Sequence, residues 1–264
     1  MTGEQDILVE RIGAVARVTL NRPAQMNAFT PQMMLDLPGL IQAEIDSGVR
    51  AVILTGAGDN FCAGANIAPT GQAPATGGAV DVRGQMDDCY NPLARFFAAL
   101  PVPLITAVKG AAAGGGASLA LSGDIVVVGR SAYVMLAFAL RGLVPDVGAT
   151  WLVASAVGRL RALKMALLAE KMFAPEALAA GLVSEVVDDD QVLARAEEIA
   201  TRLAAMPTKT LAAIRSQVQV AIDQGFEASL DAERDNQVMV SLTRDYREGI
   251  NAFKEKRRPV FTGE

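Results

Sequence analysis

Two glycine-rich loops hold the residue types in this sequence best suited to chemistry: FCAGAN at 61–66 and AAGGGAS at 112–118. Each follows an apolar run that reads as a buried strand, AVILT at 51–55 and the stretch from Val102 to Val108. Each leads to a helix start, where the first N–H groups have no partner within the helix. In the second loop Gly114–Gly116 open a small-residue run, Ala117 to Leu121, of helical character. The absence of side chains lets a ligand carbonyl approach the backbone closely. Two such donors aimed at one carbonyl oxygen form an oxyanion hole, which holds negative charge as it develops. The other use of three glycines is close packing of a turn on its neighbour.

The chain has no histidine. Imidazole bases, Ser–His triads and His-ligated metals are therefore excluded within one chain, and no metal site is expected. Acid–base work falls to a carboxylate, Lys, Tyr or Cys. Asp146, in RGLVPDVGATW, reads on its own as the N-cap of a helix over 147–157. Of the two cysteines, Cys62 sits beside the first loop and reads as a small buried filler. Two cysteines give no disulfide framework and suit a reducing cytoplasm. A net charge of −5 argues against nucleic acid or an anionic membrane as partner, although Lys254, Lys256, Arg257 and Arg258 form a basic cluster able to meet a phosphate. The start MTGEQDILVER lacks a signal-peptide pattern, and no apolar run reaches the length of a membrane span.

The elements that must position these residues follow from patterning. At 264 residues, 51% apolar and 20% charged, the chain forms one large domain or a core with an appendage. Ile7–Ile12 and Ala14–Leu20 read as strands joined at Gly13. Thr30 is a helix N-cap with Pro31 at the first helical position, and Pro38 is expected to kink or interrupt that helix. Residues 68–84, rich in Pro, Gly, Thr and Ala, read as a mobile flap. A helix is predicted over Gly84–Leu100, a strand over Asp124–Gly129, and helices over Val147–Val157, Leu160–Lys171 and Pro175–Gly181. Ser184–Val187 is a last strand, and helices follow from about Asp190, divided at Pro207. This pattern gives an α/β core over 1–190 and a helical region over 191–264 for assembly or for a lid.

Taken together, LNRPAQMNAF at 20–29, LTGAGDNFCAGANI at 54–67, the triple glycine, AGLVSEVVD at 180–188 and REGINAFKEKRRPVF at 247–261 resemble the crotonase, or enoyl-CoA hydratase/isomerase, superfamily. The resemblance covers nearly the whole chain. It implies the crotonase-like (ClpP/crotonase) spiral of ββα units, an acyl-CoA substrate, no prosthetic group, and trimers often paired into hexamers. It assigns the N–H groups of Ala65 and Gly115 to the thioester oxygen. Ala63, Asn66 and Ile67 would line the pantetheine and adenine pocket, with Arg22 and Ala24 near the nucleotide. Phe253 and Lys256 would complete the adenine or phosphate site, within the subunit or across an interface. Asn66 stands where the family usually has aspartate.

The family's hydratases use two glutamates, and their places here hold Ser118 and Phe138. Asp146 then resembles the single carboxylate of the family's isomerases, a base or proton shuttle with an upward-shifted pKa beside Phe138, Leu143 and Val144. Further blocks, YNPLARF at 90–96, LRGLVPDVGATWL at 140–152, EVVDDD at 185–190, and LDAERDNQ with RDYREG at 230–249, are similar to the isomerases acting on ring 1,2-epoxyphenylacetyl-CoA. The resemblance thus implies an acyl-CoA isomerase. Its alternatives are an enoyl-CoA hydratase, a 4-chlorobenzoyl-CoA dehalogenase, whose aspartyl intermediate is expected to need a histidine this chain lacks, and a non-catalytic acyl-CoA-binding protein.

Overall fold

The computed structural model describes residues 5–66 and 81–264. Ile67 and most of the expected flap lie outside the described residues. In chain order the elements are β1 (Ile7–Ile12), β2 (Val15–Leu20), α1 (Pro31–Asp46), β3 (Ala51–Gly56), α2 (Val82–Gln85), α3 (Asn91–Ala98), β4 (Leu104–Val108), β5 (Ala111–Ala113), α4 (Gly115–Leu121) and β6 (Ile125–Gly129). They continue with β7 (Tyr133–Met135), α5 (Ala149–Val157), α6 (Arg159–Leu168), β8 (Met172–Phe173), α7 (Ala174–Ala179), β9 (Glu185–Val187), α8 (Val192–Ala204), α9 (Thr208–Gln224), α10 (Phe226–Ser241) and α11 (Arg244–Lys254).

The main sheet has the order β1-β2-β3-β4-β6-β9, antiparallel at the β1–β2 hairpin and parallel beyond it. The AVILT run is apolar throughout because β3 is covered on both faces. Val52 and Leu54 pack with Met33, Met34, Leu37 and Ile41 of α1. Ala51 and Ile53 point the other way, into a cluster with Val192, Ala196, Ile199 and Ala200 of α8. This apolar face of α8 is therefore core. On α9, by contrast, Ile214, Val218 and Ile222 are about half exposed.

Thr30 caps α1 as its sequence implies, accepting from Met33 N at 3.2 Å. Pro38 does not interrupt the helix, which runs through it to Asp46. The bond Pro38 forgoes is offset by burial of Met33, Met34, Leu37 and Ile41 on the sheet. The helix expected over 84–100 is broken in character: α2 passes into a π turn over Met86–Tyr90 before α3 begins. A second sheet, β5-β7-β8, is built from strands too short to show a period of two.

Candidate active site

The two glycine loops meet because they follow neighbouring parallel strands, β3 and β4. Past the strand ends they keep pairing. Cys62 N donates to Ala111 O at 3.0 Å and Ala113 N to Cys62 O at 3.0 Å. Gly116 lies against this pairing, where any Cβ would collide with the Cys62 carbonyl. The first loop is also bridged to Phe29: Phe29 N donates to Gly64 O at 2.9 Å and Asn66 N to Phe29 O at 2.8 Å. In a parallel bridge the residue between two bonded neighbours turns its own N–H away, and here that residue is Ala65. Gly64, at φ +99°, sets the bend; a Cβ on it would lie 3.5 Å from Gly115 N. The N–H groups of Ala65 and Gly115 donate to nothing among the described residues. Two free backbone donors thus stand side by side at the head of α4.

The Asp146 carboxylate faces them. It is not a helix cap: α5 starts at Ala149, its N-cap is Gly148, and no side chain caps it. Val147 and Gly148 are both left-handed, at φ 49° and 79°, and carry the chain past Asp146 before the helix begins. A β-branched residue rarely takes that conformation. Asp146 Oδ1 is buried without a hydrogen-bond partner among the described residues. It lies 3.8 Å from the place a Cβ on Gly115 would occupy. Burial pushes the carboxyl from its ordinary 3.8 up to about 6, against a smaller opposing effect of its own backbone N–H. The burial does not come from Leu143 and Val144, as the sequence implied; these are 56% and 79% exposed, while Phe138 is buried. Ser118, fully buried on α4, donates from its hydroxyl to the Asp146 carbonyl at 2.9 Å.

Phe29 covers the glycine turn: its Cζ is 2.7 Å from the Cβ position of Gly115, so only glycine fits. Tyr90 stands edge-on to Phe29, with centroids 6.1 Å apart. Burial, then the Asp146 and Cys89 charges, push its phenol up from 10.0, so it remains a neutral donor. Burial pushes the Cys62 thiol up to about 12, which suits a filler and not a nucleophile.

The rim of the site joins residues 22–29 to 61–66, with Ala63 N donating to Met26 O at 3.0 Å. Ala24 is exposed on that rim. Arg22 has a local role: Nη1 donates to Ala28 O at 2.7 Å and Nε lies 3.5 Å from Asp6. Asn27, not singled out by sequence reasoning, pins the rim. Fully buried at φ 55°, it accepts from Arg22 N at 2.9 Å and donates to Ala57 O and Asn60 O at 2.9 and 2.6 Å. The signal for it was an asparagine in a turn, the residue type that tolerates this backbone best. Tyr90 was equally unmarked as a site residue. Phe253, 84% exposed on α11, and the exposed Lys256 beyond it belong to the C-terminal region, and α11 packs on α10.

The chemistry open to this arrangement is stabilisation of an oxyanion beside one proton-carrying carboxylate. The sequence profile of the enoyl-CoA hydratase/isomerase family matches residues 10–264. The chain belongs to that family and has its crotonase fold. Over 94% of its length it is 43% identical to the 1,2-epoxyphenylacetyl-CoA isomerase of Escherichia coli K12, of which 95% is covered. It is 32% identical to the 2,3-dehydroadipyl-CoA hydratase of the same organism, over 98% of this chain and 99% of the other. The crystal structure of an enoyl-CoA hydratase from Bacillus anthracis superposes with a TM-score of 0.88, at 30% identity, covering 98% of this chain and 100% of that one.

Proposed function

We propose that the protein is an acyl-CoA isomerase that forms a thioester enolate and moves one proton with one carboxylate. The observation that carries this reading is the buried Asp146 oxygen, without a partner among the described residues and 3.8 Å from the Cβ position of Gly115, whose N–H is likewise free among them. The thioester oxygen accepts from Ala65 N–H and Gly115 N–H. Asp146 takes a proton from C2, the electron pair moves onto the thioester oxygen, and the resulting dienolate collapses as the proton returns at C4. The double bond has then moved and every atom is conserved. Hydration asks for more, since a water must be oriented and deprotonated while a carbon receives a proton. Ser118 is tied to the Asp146 carbonyl and Phe138 is apolar, so neither supplies a second carboxylate. The 43% identity to an isomerase agrees with this reading.

The rim of Arg22, Ala24, Ala63 and Asn66 is proposed to hold the pantetheine and nucleotide of coenzyme A. Phe253 and Lys256 would come from the same or a neighbouring subunit. The exposed Phe253 and the α9 face of Ile214, Val218 and Ile222 are proposed to be covered in a trimer or hexamer. The hydratase reading is favoured by the 2,3-dehydroadipyl-CoA hydratase relative. A panel of 3-enoyl- and 2-enoyl-CoA thioesters separates the two: double-bond migration well above water addition is expected, and the reverse order overturns the proposal.

A further inference from the structure

Val147 decides between two conformations of the Asp146 segment. A helix begun at Val147 would put Asp146 at its N-cap, with the carboxylate accepting from the first N–H groups. The chain forgoes this: Val147 and Gly148 are left-handed, at φ 49° and 79°, and no side chain caps α5. Glycine takes that backbone freely, whereas a β-branched residue is strained in it. The strain persists only where the surroundings offset it, and the Val147 side chain shows how they do. It is 1% exposed and belongs to the same apolar core as Phe97, Leu121 and Val153. The peptide before it is pinned, because the Asp146 carbonyl accepts from Ser118 Oγ and Ala149 N at 2.9 and 3.0 Å. With that peptide fixed, turning Val147 to the helical φ of about −63° would swing its Cα–Cβ bond out of the core. Behind the segment a groove of about 670 Å³, bordered by Val147, Gly148, Trp151 and Leu152, leaves room at this side chain for a further methyl group.

We infer that Val147 is a positioning residue: burial of its side chain holds the strained left-handed turn that keeps the Asp146 carboxylate in the site and off the helix end. The inference rests on the site proposed above, since Val147 acts only through Asp146. Burial of a valine side chain is comparable in size to the strain and the forgone cap together, so this one anchor settles the balance.

The test compares Val147→Ala and Val147→Ile with the wild-type protein. Alanine forms helix readily and lacks the anchor, so the segment should relax to the capped form. The first readout needs no turnover: carbon-13 NMR of aspartate-labelled protein, with the Asp146 signal assigned by its loss in Asp146→Asn. That carboxyl should titrate at about 6 in the wild type and below its ordinary 3.8 in Val147→Ala, because a helix end favours the charged form. The second readout is kcat, which should fall about ten- to a hundred-fold in Val147→Ala with KM little changed, as the open form is depopulated. Val147→Ile keeps the branched, buried side chain and should retain both the titration and kcat. A folded Val147→Ala protein whose Asp146 still titrates at about 6 overturns the inference. So does a Val147→Ala protein that loses its fold, or a Val147→Ile protein that behaves like Val147→Ala. The expected titrations without any isomerase turnover in the wild type would instead count against the isomerase reading alone.

Discussion

Two of the carboxylates with oxygens buried from water, Asp245 and Asp146, are treated in opposite ways. Asp245, 4% exposed in the first turn of α11, accepts from Thr262 N and Gly263 N at 2.8 Å each and from Thr262 Oγ1 at 3.4 Å. It clamps the C-terminal tail, and both of its oxygens have donors. Asp146 has one buried oxygen with none among the described residues. A buried carboxylate normally carries its full set of partners, because an unpaired one costs the folded state free energy. The filled carboxylate does structural work. The open one is the group proposed to take a substrate proton.

Removing the charge at each site should therefore give opposite results. Asp146→Asn keeps the shape and removes the base, so isomerase turnover should fall by at least about a hundred-fold. The fold should not suffer. Because burial raises the folded-state pKa, the carboxyl is free of penalty below its ordinary 3.8, and the penalty grows as pH rises toward about 6. Ionised Asp146 then costs up to about 3 kcal/mol, less what solvent screening removes at a partly exposed site. Melting curves at pH 4 and pH 8 should show Asp146→Asn equal to the wild type at the lower pH and more stable at the higher. If the variant melts lower at pH 8, the two carboxylates do not differ as described.

Asp245→Asn should do the reverse. It leaves at least one of two backbone donors facing an amide, and stability should fall by about 1–3 kcal/mol in denaturant titration. Turnover per folded molecule should stay within a few-fold of the wild type. A large loss of turnover at full stability would make Asp245 part of the site.

The smallest effect concerns what holds Asp146 open. Its carbonyl accepts from both Ser118 Oγ and Ala149 N, at 2.9 and 3.0 Å. Ser118→Ala removes one of these beside the left-handed Val147, and stability should drop by about 1 kcal/mol. A several-fold fall in kcat with KM unchanged is expected if that bond also orients the carboxylate. Equal kcat in the two proteins would limit Ser118 to packing.

The two halves of the site differ in how far the sequence discloses them. The two glycine loops are legible because their geometry is made of glycine: apolar strands ending at FCAGAN and AAGGGAS leave few other conformations. The middle of the main sheet is legible for the same local reason, β3, β4 and β6 each being a mostly apolar run. Asp146 is legible as a residue and not as an environment. An aspartate ahead of a helical pattern reads as a cap, and nothing local announces that Val147 would adopt a left-handed conformation and carry the carboxylate away from the helix. Leu143 and Val144 look like its apolar surroundings by proximity in sequence, yet they face outward. Tyr90 and Phe29, far away in sequence, are the aromatic groups that border the site. The π turn that ends at Tyr90 leaves no composition signal in MDDCY.

Exchange of the C2 protons tests the central claim most directly, because it isolates enolate formation from every later step. A saturated thioester such as phenylacetyl-CoA, which cannot shift a double bond in this way, is incubated with the enzyme in deuterium oxide and followed by mass spectrometry. The wild-type protein should introduce deuterium at C2 at a rate that rises with pH through about 6, as Asp146 ionises. Asp146→Asn should show no exchange above the uncatalysed rate. Exchange that persists undiminished in Asp146→Asn would contradict the assignment of Asp146 as the base.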